Sequence, residues 1–244
     1  MAKNHKDAEQ GRSASVRRIR HQGRNGRLSR ERVLATALEL VDREGLSAMS
    51  MRRVGAELGV EAMTLYRYAS SKDAMLDGLV EALYLELDVA LAADPLGAEP
   101  DWRAELHRVA RATHQVAMAH PHVVPLLATR MLAVPLARRP LAVLKDHERV
   151  LVLLEQAGLD ESTASMVCRA ITAWILGYAF VELQAMVDNS EETEPAFRLG
   201  LHRMPVQELP RLRKTAPAIA EHGGPEGLAA GLDALLDRFA PNAR

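Results

Sequence analysis

From Ser29 onward the apolar positions recur at helical spacing. Val33, Leu34, Ala37, Leu38 and Val41 return every three or four residues, the pattern of one buried helix face. Ser29 stands where an N-cap belongs and Gly45 where a helix stops. The pattern predicts a short second helix from about Ser50 to Gly59 and a third from about Glu61 to Tyr68. Ser70 or Ser71 opens a fourth, which carries Leu76, Leu79, Val80, Leu83 and Leu87 on one side and runs to about Ala93. Asp94-Pro95 ends it. Helical segments follow near 101–120, 122–134, 140–157 and 160–188, separated by Pro121, the Pro135–Pro140 stretch and Gly158. Residues 189–224 hold four prolines, the acidic run Glu191-Glu192-Thr193-Glu194 and Gly223-Gly224, which predicts a long loop with short helical turns. Leu228, Leu232, Leu235, Leu236 and Phe239 mark a final amphipathic helix. No stretch alternates with period two and no internal repeat is visible, so the fold class is all-α.

The chain has 244 residues, 48% of them hydrophobic, and this excludes wholesale disorder. The one cysteine, Cys168, allows no intrachain disulfide and no Cys-rich metal scaffold, and points to a reducing, cytoplasmic setting. The N-terminus is charged and has no apolar leader core. The longest uncharged apolar stretch is Ala170–Val181, shorter than the roughly 20 residues of a membrane span. Charge redraws the picture more sharply. Residues 1–27 carry a net +6, residues 28–73 are neutral and residues 74–244 carry −7. The first 27 residues have almost nothing to bury, so they are predicted to lack fixed structure without a partner. A basic front end on an acidic body fits a polyanion held at one end, or a solvated tail.

The informative segment is Met51–Tyr68. Two short helices that cross steeply need a small residue at the contact, and Gly55 supplies it. The turn needs a residue tolerant of positive φ, and Gly59 supplies that. Val54, Leu58, Val60 and Leu65 are placed to lock the pair. An ordinary helical hairpin would share part of this pattern, but the basic arm immediately upstream favours a helix-turn-helix.

These residues resemble the DNA-binding domain of the TetR/AcrR family of bacterial transcription regulators over Ser29–Leu79. The carriers are the Gly59-Val60 turn, then Thr64-Leu65-Tyr66, then Lys72 opening the fourth helix. The remainder resembles, more weakly, the C-terminal domain of the tetracycline-repressor subgroup, through Asp101-Trp102-Arg103, Thr129-Arg130, Ala157-Gly158-Leu159 and Leu176-Gly177. The resemblance implies a basic arm (1–27), a three-helix helix-turn-helix DNA-binding domain (28–73), and a helical effector-binding and dimerisation domain (74–244). It implies that Thr64, Tyr66, Tyr68 and Lys72 touch operator DNA, mostly phosphates, and that Arg52 reaches a base edge. Ala62 and Met63 fall at base-reading positions, where they can offer only apolar contact, and Arg67 stands beside them. Each tyrosine has packing as its alternative role. The implied partners are double-stranded operator DNA, a second copy of the chain and a small-molecule effector. Dimerisation would use the Val167, Ile171, Trp174, Tyr178 and Val181 stripe with the terminal leucines.

For the effector, His114, Met118, Arg130, Trp174 and Tyr178 are the candidate contacts, each with a structural alternative in the core, the dimer seam or the surface. The subgroup holds a drug and magnesium through a histidine four residues before the Thr-Arg arginine. Here that position is Leu126, and two further polar ligand positions fall on Val150 and Val181. Hard cations need oxygen or imidazole ligands, so no tetracycline–magnesium site and no other metal or cofactor is expected, and the effector should be largely apolar. His120-Pro121-His122 lacks zinc-pair spacing and belongs to a helix joint. No phosphate-cradling Gly-rich loop or nucleophile elbow is present, which argues against an enzyme. A ligand-released repressor is therefore the leading reading. An activator or effector-independent DNA binder, and an all-helical enzyme or carrier, remain as alternatives.

Overall fold

The structure, a computed structural model, describes residues 28–95, 101–188, 205, 207–221 and 224–239. The elements run α1 (Arg30–Glu44), a 3₁₀ turn (Leu46–Ala48), α2 (Met51–Leu58), α3 (Ala62–Leu65), α4 (Lys72–Ala93), α5 (Trp102–Ala119) and α6 (Val124–Ala133). A second 3₁₀ turn (Leu136–Arg138) precedes α7 (Leu141–Gln156), α8 (Glu161–Asp188), α9 (Pro210–Glu221) and α10 (Gly224–Phe239). No strand occurs among the described residues, and the all-α expectation holds. The arm 1–27 and the acidic run Glu191–Glu194 lie outside the described residues.

Local chemistry starts the helices where the pattern placed them. Ser29 accepts the Arg32 amide at 3.3 Å, Ser50 that of Arg53 at 3.2 Å and Ser71 that of Ala74 at 3.0 Å, so one serine caps each of α1, α2 and α4. Asp101 does the same for α5, accepting from Ala104 at 3.3 Å. The third helix is shorter than predicted. Only Ala62–Leu65 is α-helical, and the chain tightens into turns at Arg67 and Tyr68. A second difference is α9, twelve residues of helix where a loop was predicted. Pro210 is its first residue, where a missing N–H costs nothing. Every described side chain of α9 is exposed.

α4 joins the two parts of the molecule. It packs on α1 toward the N-terminal head and on α5, α6 and α7 toward the body. Val33, Leu34, Ala37, Leu38 and Val41 of α1 and Leu79, Val80, Leu83 and Leu87 of α4 are all buried, whereas Leu76 is half-buried. At the crossing Gly78 lies close against Leu34, since a Cβ there would lie 2.3 Å from a Leu34 methyl, which would have to move aside. A single apolar cluster runs from Val33 to Leu236 through both parts.

α8 is long and apolar enough to cross a membrane by length and composition, with mean hydropathy 1.5 over Glu161–Leu183. One of its faces lies in the core. It packs on α5, α6, α7 and α10, and buries Val167, Ile171, Ile175 and Ala179. Cys168 is buried on it, and burial pushes its thiol pKa up, which keeps the sulfur protonated and inert.

Because α4 is held from both sides, Leu79→Ala should cost about 2–5 kcal/mol and lower the single urea unfolding transition as a whole. Two separated transitions would show instead that head and body fold independently.

Candidate nucleic-acid interface and effector region

The helix-turn-helix is built on two glycines. Gly59 takes φ +68° and closes α2 with a Schellman pair, its own amide bonding Ala56 O at 3.2 Å and the Val60 amide bonding Gly55 O at 2.9 Å. At Gly55 a Cβ would stand 2.8 Å from Val60 O and 3.3 Å from the Ala62 amide, so the start of α3 lies directly on the α2 backbone. Val54 and Leu65 are fully buried beneath, with Leu58 and Val60 half-buried at the edge. Ala62 is half-buried at this crossing, so part of its small side chain serves the packing rather than a groove.

What projects is polar or unusually bare. Met63 is 73% exposed and Tyr66 44% exposed, while Leu65 between them is buried. Arg52, Arg67 and Lys72 are exposed on the same head, and none has an ion-pair partner among the described residues. Other arginines of the head are committed. Arg43 pairs with Glu57 at 2.6 Å and Arg53 with Glu44 at 2.6 Å. Lys72 opens α4, where a cation opposes the helix dipole, so its charge is better matched by a phosphate in front of the same N-terminus. Thr64 is half-buried. Tyr68 is half-buried as well. Its hydroxyl donates to Leu28 O at 2.9 Å, which spends its proton inside the chain and pins the root of the basic arm beside α3.

The effector candidates are split between places rather than gathered. His114 is buried, with Nε2 2.8 Å from Glu182, and its ring lies 6.1 Å from that of Tyr178. Trp174 stacks at 5.4 Å on Tyr178 and donates to Leu228 O at 3.1 Å, while Tyr178 donates to Gly224 O at 2.9 Å. These two rings therefore anchor α10 onto α8. Met118 packs separately with Ala117, Val124, Ala179 and Leu183. Arg130 faces the head, bridging Asp73 at 2.6 Å and Asp77 at 2.9 Å at the start of α4. An apolar crevice beside it is lined by Asp77, Val80, Arg130, Val134, Arg139, Pro140 and Val143. Leu126 and Val150 are buried.

Sequence reasoning missed Glu182, the partner of His114, because the two are far apart along the chain. The stripe expected to pair two copies is largely covered by the chain itself. Val167 and Ile171 are buried within the chain, Trp174 and Tyr178 are spent on α10, and of the five stripe residues Val181 alone stands exposed, at 67%. The line that faces outward is Met166, Ala173, Gly177 and Val181, spaced by one or two turns and nearly without charge.

Two family profiles match the chain, the tetR family of bacterial regulatory proteins over residues 33–79 and the tetracyclin repressor-like C-terminal domain over residues 94–238. The chain is 33% identical over 156 residues to the HTH-type transcriptional repressor DrrR1 of Streptomyces coeruleorubidus, a match covering 64% of this chain and 54% of that protein. The chain thus spans about half the length of that relative. To the tetracycline repressor protein class C of Escherichia coli it is 26% identical over 200 residues, covering 82% of this chain and 84% of the other. The fold is similar to that of SCO7222, a TetR from Streptomyces coelicolor, with TM-score 0.71 at 22% identity over 89% of this chain and all of that one.

Gly55→Ala tests the crossing. Alanine gains about 1 kcal/mol over glycine inside a helix, but a Cβ against backbone costs about 1–3 kcal/mol. A net loss of stability in urea denaturation is expected, and a net gain would mean that α2 and α3 do not meet as closely as described.

Proposed function

The chain belongs to the TetR family of bacterial regulatory proteins, and from that premise we propose that it is a ligand-responsive repressor that binds a palindromic operator as a homodimer in the cytoplasm. The observation that carries this reading is the sorting of charge on the head. Arg52, Arg67 and Lys72 are left unpaired among the described residues on the same head as the exposed Met63 and Tyr66, while Arg43 and Arg53 are paired with carboxylates.

In this reading the α2–α3 unit enters the major groove. Lys72, Tyr66 and Thr64 engage phosphates, and Arg52 reads a base edge, where arginine pairs bidentately with guanine. Met63 carries no hydrogen-bonding group for a base, so it selects by contact with thymine methyls. One such unit reads few bases, and specificity comes from two units set about one helical turn apart, ~34–36 Å. The outward line Met166, Ala173, Gly177 and Val181 of α8 supports pairing of two copies, since its small residues let helices approach closely. Tyr68 supports a role for the arm, because it fixes Leu28, where the basic segment ends, next to α3.

The effector is proposed to bind between helices of the body and to be largely apolar. Leucine and valine at 126 and 150 supply no ligand for a hard cation, which argues against a tetracycline–magnesium complex. Arg130 on Asp73 and Asp77 gives the body a direct grip on the first turns of α4.

Titrating the DNA that flanks the chain's own gene tests the reading, with a protected site of dyad symmetry as the expected result. Persistent failure to bind at low salt would overturn it. Tyr66→Ala should weaken operator binding by about 1.5–3 kcal/mol, the worth of a hydrogen bond to a charged group, with the dimer unchanged in sedimentation. Removing residues 1–27 should flatten the dependence of affinity on salt, by about 0.9 in slope for each phosphate the arm had neutralised.

A further inference from the structure

Three ionisable side chains meet where the head touches the body. His120 sits at the C-cap of α5, and its ring bridges two carboxylates from other helices. Nδ1 lies 2.7 Å from Asp42 Oδ2 on α1, and Nε2 lies 2.9 Å from Glu86 Oε2 on α4. A neutral imidazole has one N–H. It could serve one of these contacts but would set a lone pair against an anionic oxygen at the other. With both carboxylates ionised, the imidazolium alone satisfies the two together.

Its surroundings agree. Burial by itself would lower the imidazolium's pKa, but the hydrogen bonds and charges of Asp42 and Glu86 outweigh it and raise the value to about 9. These two carboxylates are the charged groups that act on it. The C-terminal end of α5 favours a cation as well. Asp42 is in the last turn of α1, the end where a helix disfavours an anion, and its Oδ1 is buried without a partner among the described residues. Without the cation, α1 and α4 would turn two carboxylates toward one another across the seam.

We propose that His120 is a charged latch, whose imidazolium pins α1 of the head to α4 and α5 of the body and fixes the angle at which the head is presented. Its bearing on operator release rests on the regulator reading above, while the latch itself is a property of the folded chain. The sign of its pH dependence follows. The folded-state pKa exceeds the ordinary value of about 6.5, so the latch contributes stability that is full below that pH and lost as pH rises through about 9. It stays closed at neutral pH and opens by alkali, by substitution or by force on α4.

The test needs neither operator nor effector. Spin labels at Ala56→Cys on α2 and Glu155→Cys on α7, in a Cys168→Ser background diluted with unlabelled protein, report the head-to-body distance within one chain. At neutral pH the wild type should give a narrow distribution. His120→Gln should broaden it severalfold, and the wild type should broaden likewise near pH 10, roughly one unit above the titration. Equal distributions for wild type and His120→Gln at neutral pH would overturn the latch. Should the glutamine variant not fold, proton NMR of the His120 ring in the unaltered chain decides. A midpoint near 9 that falls by about one unit or more in Asp42→Asn and in Glu86→Gln supports the proposal, and a midpoint near 6.5 overturns it. Absence of operator binding with both results intact would sink the regulator reading and leave the latch standing.

Discussion

The structure depends on α4 being buried along two sides at once. This helix lies between α1 of the head and the body helices α5, α6 and α7. Its buried residues, from Met75 to Leu91, extend over nearly its whole length. Head and body therefore share one apolar cluster instead of meeting across a soft linker. The polar contacts along this seam follow the same design. Arg130 grips the first turns of α4, His120 grips its middle, and Arg149 bonds Asp88 further on at 2.7 Å. Each joins a body helix to α4 through charge in partly buried surroundings, where an ion pair is screened less than at the open surface.

Cations that brace the fold differ from those at the tip of the head. Those that hold helices together have partners within hydrogen-bonding distance. Arg103, for instance, binds Asp233 at 2.8 Å and Asp237 at 2.6 Å, tying α5 to α10. Arg52, Arg67 and Lys72 have none among the described residues, and they lie on the same head as a methionine and a tyrosine that would gain by being covered. Exposed cations elsewhere, such as Lys145, Arg169 and Lys214, are unpaired among the described residues too, so what sets the head apart is that its free cations share it with a bare Met63 and Tyr66, with no internal ion pair to break before a phosphate binds.

Much of this was legible because it is local. Ser29, Ser50 and Ser71 cap helices with amides three residues away, so their role is readable from a few neighbouring letters. The Gly55 and Gly59 pair is likewise contained in a short window, and both glycines do what their spacing implied. The failures share a different origin. A helical stripe says that one face is apolar, but not whether its own chain or another copy covers it. The bonds of Trp174 and Tyr178 to α10 were likewise invisible, because Leu228 and Gly224 lie far along the chain. Prolines at 205, 210 and 217 argued for a loop, but Pro210 could start α9 because a first-turn residue needs no amide partner. His120 read as a residue at a joint, which it is. Its meaning lies in Asp42 and Glu86, 78 and 34 positions away, and no periodicity connects them.

The shared helix also sets a scale for mechanical amplification. Twenty-two residues make a rod about 33 Å long. If such a rod pivots at one end by about 5°, its other end sweeps about 3 Å, close to the axial rise of one base-pair step in a duplex. Ångström-scale repacking deep in the body is therefore enough to throw a groove contact out of register, and nothing between the two ends has to melt.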